Sequence, residues 1–527
     1  MTNTIEEIAD ADLILVIGSN TTEQHPLVST RIFEALDKGA QLYVVDPRRI
    51  RLTDFAHAYA PIEPGTNLAL INAMIHVIIE EGLQDQAYID ARVENYEALK
   101  ASVAECTPEW AAPVTKVSAD IIRQFARTYA TSDKAMILYT MGVTQHVTAV
   151  KSICALGNLA MLTGHVGRPS TGINPLRGQN NVQGSGDMAT LPDYFPGYQR
   201  PEWPETQARF GKAWGEISAL RGKVMSEMFD LIDAGTMKAM YIMGENPAIS
   251  DPDQTHTLHA LDKVPFLVVQ DLFLTETAQY ADVVLPAASF LEKDGTYTNT
   301  ERRVQMIRKV IEPVGDCKPD WIILNEIMKR LGMEVDYKST SDIMDEINTL
   351  VPSYGGIAHD RIQEVGLQWP CLDRDHPGTP ILHVEKFARP NGMGLFTVND
   401  FERIGERISD EFPFIMTTGR VTHQYHTGTM TRKIWTLHRE YPHGFVEINS
   451  KDALELGIKE HQMVRITSAR GSITAMAAIT DRINEKTVFM PFHFAESPVN
   501  RLTGQKLDPF IKIPELKVTA VRIEVAK

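Results

Sequence analysis

Apolar runs and their spacing divide the chain into recognisable elements. Leu13-Ile-Leu-Val-Ile17 contains no polar residue and ends at Gly18, the pattern of a strand buried on both faces. Val28, Ile32 and Leu36 then recur at fours, one stripe of a helix that Gly39 stops. Gln41-Leu-Tyr-Val-Val45 follows as a second strand, closed by Asp46-Pro47-Arg48. A helix between consecutive strands predicts that they lie parallel with a right-handed crossover. The arrangement returns later, where Ala239-Met-Tyr-Ile-Met243 ends at Gly244-Glu245-Asn246 and Phe266-Leu-Val-Val-Gln270 ends at Asp271. The acid follows the glycine by 28 residues in the first case and by 27 in the second. A short segment comes after each acid, Ala58-Tyr-Ala-Pro61 and Ala281-Asp-Val-Val-Leu-Pro286. The pattern predicts two related, doubly wound parallel-sheet α/β units of Rossmann-like form, each with a ligand crevice at the carboxyl ends of its strands.

From about Val398 the rhythm changes. Phe412–Met416, Val446–Ile448, Met463–Thr467, Ile473–Ala477 and Thr487–Met490 read as short strands, with a tight turn at Arg470-Gly471 and one short helix ended by Gly457. Short strands with few helices predict a compact β-barrel. The expected division is 1–178 for the first α/β unit, 179–290 for the first part of the second and 291–320 for a hairpin segment marked by Asp294-Gly295 and Glu301-Arg302-Arg303. It continues with 321–397 for the remainder of the second unit and a Pro/Gly/His-rich bridge, and 398–527 for the barrel.

Composition narrows the classes. With 43% hydrophobic and 23% charged residues in 527, the chain is globular and long enough for several domains. A formal charge of −16 repels a phosphate backbone, so nucleic acid is excluded as the main partner, although a local basic pocket is not. No apolar run reaches the ~18 residues that would span a bilayer. The four cysteines, Cys106, Cys154, Cys317 and Cys371, form no Cys-x-x-Cys pair, so the chain encodes neither its own iron–sulfur motif nor a zinc knuckle. Cys106 and Cys154 read as core thiols. Sparse cysteine and an N-terminus without a signal-peptide pattern predict a cytoplasmic location.

The chemistry concentrates in two places. One glycine in Gly18-Ser-Asn-Thr-Thr-Glu23 is too few for the dinucleotide fingerprint, which disfavours a plain NAD fold; the competing reading is a glycine that only turns a sheet-edge loop. The second place is Gly172–Met188, dense in glycine and amide side chains around Arg177. The planar Arg177 fork suits a small carboxylate, and Gln179 is placed to orient the same ligand. The competing reading is a solvated loop with Arg177 in a salt bridge. His423-Gln-Tyr-His426 has metal-like spacing, but its Thr and Gly neighbours do not read as helix and no third ligand follows, so no metal ligand is expected from side chains.

Leu176-Arg-Gly-Gln-Asn-Asn-Val-Gln-Gly184 resembles the active-site loop of molybdopterin formate dehydrogenases of the dimethyl-sulfoxide-reductase superfamily. The likeness continues in order through Ala11–Asn20 with His25-Pro26, Asp46-Pro-Arg48, Met141–Gln145, Tyr241–Pro247, Gln270-Asp271, Ala281–Pro286, Asp294–Asn299, Glu301–Arg303 and Thr418-Gly-Arg420. It implies formate oxidation to CO2 at bis-molybdopterin guanine dinucleotide carrying molybdenum or tungsten, and a six-stranded double-psi barrel at the C-terminus. Arg177 resembles the arginine that holds formate, and Gln179 its neighbouring amide. Gly18, Asn20, Asp46, Arg48, Gly65, Gly142, Gln145 and Gly178 resemble cofactor contacts, as does Met141 unless it is ordinary core. Gly244, Glu245, Gln270, Asp271, Thr275 and Asp282 resemble those of the second unit, and Thr418, Arg420, His423, His426, Asn500 and Lys517 those of the barrel.

The family's 4Fe-4S domain and its Cys or selenocysteine metal ligand would lie upstream of Met1. The chain is therefore expected to be the part downstream of a selenocysteine, with segment 291–320 packing on that missing iron–sulfur segment. Its isolated activity is in doubt, and an iron–sulfur or flavin subunit is expected to take the electrons. Two alternatives stay open: a non-catalytic scaffold subunit of a redox complex, and a related reductase acting on nitrate or another oxo-acceptor.

Overall fold

The computed structural model describes every residue except Ile404 and Lys527. The chain folds into two compact units. The first gathers Met1–Leu176, Ile249–Gln254 and Ile381–Lys527, and the second Arg177–Ala248 and Thr255–Pro380. The Pro/Gly/His-rich stretch 356–397 therefore divides between them.

The first unit opens with β1 (Leu13–Ile17), α1 (Pro26–Asp37), β2 (Gln41–Val45), β3 (Ala58–Ala60), α2 (Asn67–Glu80) and α3 (Ala119–Thr131). It continues with β4 (Ala135–Tyr139), α4 (Ala149–Leu162) and β5 (Gly172–Pro175). The strands are all parallel, in the order β3-β2-β1-β4-β5. Both faces of β1 are buried. Its odd residues Leu13, Leu15 and Ile17 join the core under α2, α3 and α4, while Ile14 and Val16 pack with Val28 and Ile32 of α1. Every residue of α2 from Asn67 to Ile78 is buried, so its apolar residues occupy every side rather than one stripe, with Asn67, Asn72 and His76 the polar exceptions. Pro26 opens α1 at a position where its missing N–H costs nothing, and Gly39 at φ +97° lets the chain leave it.

The second unit contains α5 (Val182–Asp187), α6 (Met225–Asp233), β6 (Met240–Met243), α7 (Gln254–Lys263), β7 (Leu267–Asp271) and β8 (Val283–Pro286). Its three strands are parallel and follow sequence order. Phe229, Ile232, Leu261 and Val264 pack from α6 and the end of α7 onto Met240, Ile242, Leu267 and Val269. β9 (Gly295–Thr298) and β10 (Arg303–Ile307) form the antiparallel hairpin signalled by Asp294-Gly295, extended by β11 (Leu367–Gln368).

The C-terminal strands β12 (Phe414–Gly419), β13 (Phe445–Ile448), β14 (Met463–Ser468), β15 (Gly471–Ile479), β16 (Thr487–Pro491) and β17 (Thr519–Val525) close into a barrel in the order β12-β16-β13-β15-β14-β17. Two pairs, β12 with β16 and β13 with β15, are parallel and the rest antiparallel. Alternate residues Val464 and Ile466 point inward with Val446, Ile448, Val488 and Ile523. The barrel shares one compact unit with the first sheet. Among the described residues no helix is long and apolar enough to cross a membrane.

The strand order of the first sheet reverses between β1 and β4, so the loops leaving these two strands flank the crevice of a doubly wound fold. Those loops touch. The Gly142 N–H donates to the Gly18 carbonyl at 3.1 Å, and a Cβ on Gly142 would stand 2.5 Å from Gly18 Cα. Gly18 itself has φ +59°, and its Cβ would meet Gly142 at 2.7 Å. Gly142→Ala is expected to destabilise the chain by more than ~2 kcal/mol, because both obstacles are backbone and cannot swing aside. Denaturant unfolding of the variant checks this; wild-type stability would mean the two loops can separate at little cost.

Candidate active site

The first crevice is built where β1, β2 and β4 end. Beyond Gly18, Asn20 precedes a short helical turn and His25 precedes α1. Beyond β4, Thr140 Oγ1 donates to the Gly18 carbonyl at 2.6 Å, Met141 opens a helical turn, and Thr144 Oγ1 donates to the Met141 sulfur. The Gly142 carbonyl accepts from Asn67 Nδ2 at 3.1 Å and faces His146 Nε2 at 3.0 Å. The other nitrogen of His146 meets Glu515 at 2.8 Å, and both side chains are buried. Glu515 also accepts the Val147 N–H, Asp508 accepts that of Val150, and the Gln145 carbonyl takes the Leu516 N–H. The segment before β17 is thereby tied to the start of α4. Gly65, at φ +84°, turns beside it, its Cβ position 3.1 Å from Val518.

Charge removed in part from solvent gathers at the same end. Asp46 is buried, which pushes its carboxyl up to about 6 even though it accepts the Arg48 N–H at 3.0 Å. Lys517 Nζ donates to the Thr418 carbonyl at 2.7 Å, and burial followed by the charge of Arg420 brings it down to about 8. Thr418 Oγ1 in turn donates to the Leu516 carbonyl. Burial also depresses Arg420, and burial with Arg420 nearby lowers His25 to about 4. Arg420 thus sits within electrostatic reach of both Lys517 and His25, and Asp46 and Glu515 within reach of Lys517. Three buried polar atoms, Asn20 Nδ2, Gln24 Nε2 and His423 Nδ1, have no hydrogen-bond partner among the described residues. A side-chain-free glycine contact, desolvated cations and orphaned donors together fit a phosphorylated, hydrogen-bonding dinucleotide.

Several expected contacts are engaged within the protein. Arg48 is held by Glu447 through Nε and Nη2, both at 2.6 Å, and stacks 3.9 Å from the Phe489 ring centroid, which anchors it to the barrel. Asn500 donates to the carbonyls of Ile249 and Ser250. The His426 carbonyl accepts from His493, and the His423 ring lies beside Tyr441.

In the second unit, Gly244 turns at φ +64° with open space at its Cβ position, and the Glu245 carboxylate accepts the Asn246 N–H. Asp271 takes the backbone N–H groups of Leu272 and Phe273, while burial raises its carboxyl. Gln270 is enclosed between Tyr241 and Asp320, Thr275 accepts the Ala278 N–H, and Asp282 accepts that of Leu267. Gln270 and Thr275 are buried, whereas Asp282 is exposed.

The amide-rich loop also lies in the second unit. Arg177 is exposed; its N–H donates to Thr300 Oγ1 and its Nε to Gln183 Oε1, each at 3.1 Å. Its two terminal nitrogens make no hydrogen bond or ion pair among the described residues, in place of the salt bridge a solvated loop would provide. Gly178 and Gln179 follow, both half-buried, and the Gln179 carbonyl accepts the Val182 N–H. Asn181, at φ 59°, accepts the Thr298 N–H and fixes the loop to β9. A Cβ on Gly184 would stand 2.3 Å from Asn181 Oδ1. Beneath it, Asp187 is buried among hydroxyl, amide and indole donors. Its position in a Gly-Ser-Gly-Asp turn gives no local sign of that role, and His146 and Glu515 gave none either.

The raised Asp46 pKa has a measurable consequence. A carboxyl lifted from 3.8 to about 6 contributes stability that is complete below the lower value and lost as pH rises through the upper one. Urea unfolding of the cofactor-free chain is expected to show that decline between these two pH values, and Asp46→Asn is expected to flatten it. An identical pH profile in the variant would place Asp46 in contact with water.

The family description Molybdopterin oxidoreductase matches residues 1–330, and the description Molydopterin dinucleotide binding domain matches 414–520. The chain is 49% identical to the F420-dependent formate dehydrogenase subunit alpha of Methanocaldococcus jannaschii, an alignment covering 99% of this chain and 78% of that one. It is 39% identical to formate dehydrogenase H of Escherichia coli, over 99% of this chain and 74% of the relative. Among solved structures, acetylene hydratase from Pelobacter acetylenicus superposes with a TM-score of 0.79 at 19% identity, over 99% of this chain and 81% of that one, a likeness of fold. With its glycine-lined crevice, its barrel and these relatives, the chain belongs to the molybdopterin oxidoreductase family, among the alpha subunits of formate dehydrogenases.

Proposed function

We propose that the chain oxidises formate, HCOO⁻ → CO2 + 2e⁻ + H⁺, at a bis-molybdopterin guanine dinucleotide centre. One observation carries the reading: identity to formate dehydrogenase alpha subunits extends over 99% of the chain, leaving no part of it to a different chemistry. The bound group, with molybdenum or tungsten, supplies the two-electron acceptor that no side chain offers. Gly18, Asn20, Gly142, Arg420 and Lys517 would hold one dinucleotide, and Gly244, Glu245 and Asp271 the other. A pyrophosphate would offset the cost of burying Arg420 and Lys517.

Arg177 is the formate-binding residue in this reading. Formate has no hydrogen on carbon acidic enough to leave as a proton, so it must be held with its C–H bond aimed at the acceptor. The guanidinium does this with its two terminal nitrogens, one for each carboxylate oxygen, while Nε stays on Gln183. Gln179 stands in the same loop to orient the anion. An iron–sulfur or flavin subunit would carry the electrons onward.

Formate-dependent dye reduction by the holoenzyme, with pterin and metal analysis, tests the proposal. Arg177→Lys is expected to lose at least ~100-fold in kcat/KM, since a point charge cannot reproduce the two-pronged contact. Near-normal formate oxidation by that variant, or a loaded enzyme that reduces nitrate and ignores formate, would overturn it.

A further inference from the structure

Asp187 is a buried and heavily hydrogen-bonded carboxylate of the second unit, and the reading above assigns it no part. It is 1% exposed, and four side chains donate to it. Oδ1 accepts from Gln183 Nε2 and from the Tyr198 hydroxyl, each at 2.8 Å; Oδ2 accepts from the Tyr354 hydroxyl at 2.6 Å and Trp369 Nε1 at 2.7 Å. Gln183 Nε2 also donates to the Tyr198 oxygen at 3.1 Å, so both hydrogens of its amide are taken. The amide then has one group left to present, its carbonyl, and that carbonyl faces Arg177 Nε at 3.1 Å. Turning the amide over would aim an NH2 at a guanidinium N–H and a carbonyl at a carboxylate. Both contacts are repulsive, so Asp187, an acceptor to four donors, dictates which way Gln183 faces.

We propose that Asp187 is a positioning residue for Arg177. Through Gln183 it pins the guanidinium by its inner nitrogen and leaves the outer pair for a carboxylate. The proposal rests on the reading of Arg177 as the formate-binding group. The Asp187 partners reach across the fold: Tyr198 follows the loop, Tyr354 comes from beyond the hairpin, and Trp369 lies just past β11. Buried Arg302 steadies that last strand by donating to the carbonyls of Trp369, Thr379 and Pro380. The loop therefore takes its aim from the packed interior of its unit rather than from its own glycine-rich backbone.

Asp187→Asn keeps the shape but sets an NH2 among donors, and Gln183 is released. In the holoenzyme the variant is expected to raise the formate KM about tenfold, with a smaller loss in kcat. Gln183→Leu is expected to do the same, and the double variant to match either single one, because both break one chain of contacts. Fold-changes that multiply in the double variant would overturn the proposal.

Phenylglyoxal labelling at Arg177, read by peptide mass spectrometry, follows the guanidinium without turnover. Labelling without formate should be faster in Asp187→Asn than in wild type; equal rates would overturn the positioning role. Protection of wild-type Arg177 by formate tests the substrate reading separately, and its absence would remove formate while the formate-free rates still decide the role of Asp187. If Asp187→Asn does not fold, Tyr354→Phe, which deletes one donor, serves instead. A raised KM with faster labelling supports the proposal, and wild-type values for both overturn it.

Discussion

Two glycines set the geometry of the first unit. Because Gly18 and Gly142 lie in backbone contact, the loops that leave β1 and β4 form one continuous floor, and whatever they carry faces the same crevice. Asn20 and His25 arrive on one loop, Gln145 and His146 on the other. His146 then reaches Glu515, two residues before Lys517, and Lys517 reaches the end of β12 through Thr418. A single methyl group at the glycine contact would push apart loops on which the barrel attachments also depend.

The electrostatic character of the crevice runs against that of the chain. A molecule of charge −16 gathers Arg420, Lys517 and His25, each half-buried, in one region, with the acids Asp46 and Glu515 near Lys517. Taking a cation out of water is costly, and that desolvation is the first cause of the depression of Lys517 and His25. A polyanionic ligand offsets that cost, whereas Arg48, already paired with Glu447, has no such debt. The same pocket can therefore attract phosphate while the surface repels nucleic acid.

Much of this was legible locally. β1 and β2 begin and end where their apolar runs do, and the glycine that closes each first strand turns with positive φ, as the close approach to a ligand requires. The motif order pointed to the family, and the family matches span both lobes and the barrel. What escaped was long-range. Ala135–Tyr139 is as apolar as β1, yet nothing in it says that it pairs with β1 and creates the crevice. Thr519–Val525 alternates Val521, Ile523 and Val525 with Arg522 and Glu524, a local strand pattern, but nothing in it names β12 and β14 as the partners with which it closes the barrel. Arg48 stands where a phosphate contact is expected, but its partner lies 399 residues away. The Asp187 cluster draws on positions from 183 to 369, and no window of sequence displays it.

The pairing of His146 with Glu515 also dictates when the first crevice can exist. The two are 369 residues apart, and the whole second unit lies between them in the sequence, interrupted only by the 249–254 segment of the first. On the ribosome the early sheet emerges long before the segment that completes its binding floor, so a nascent chain would expose that floor unfinished while the intervening lobe is made. The floor of the first crevice is therefore completed only once the segment around Glu515 has been made and has docked on His146.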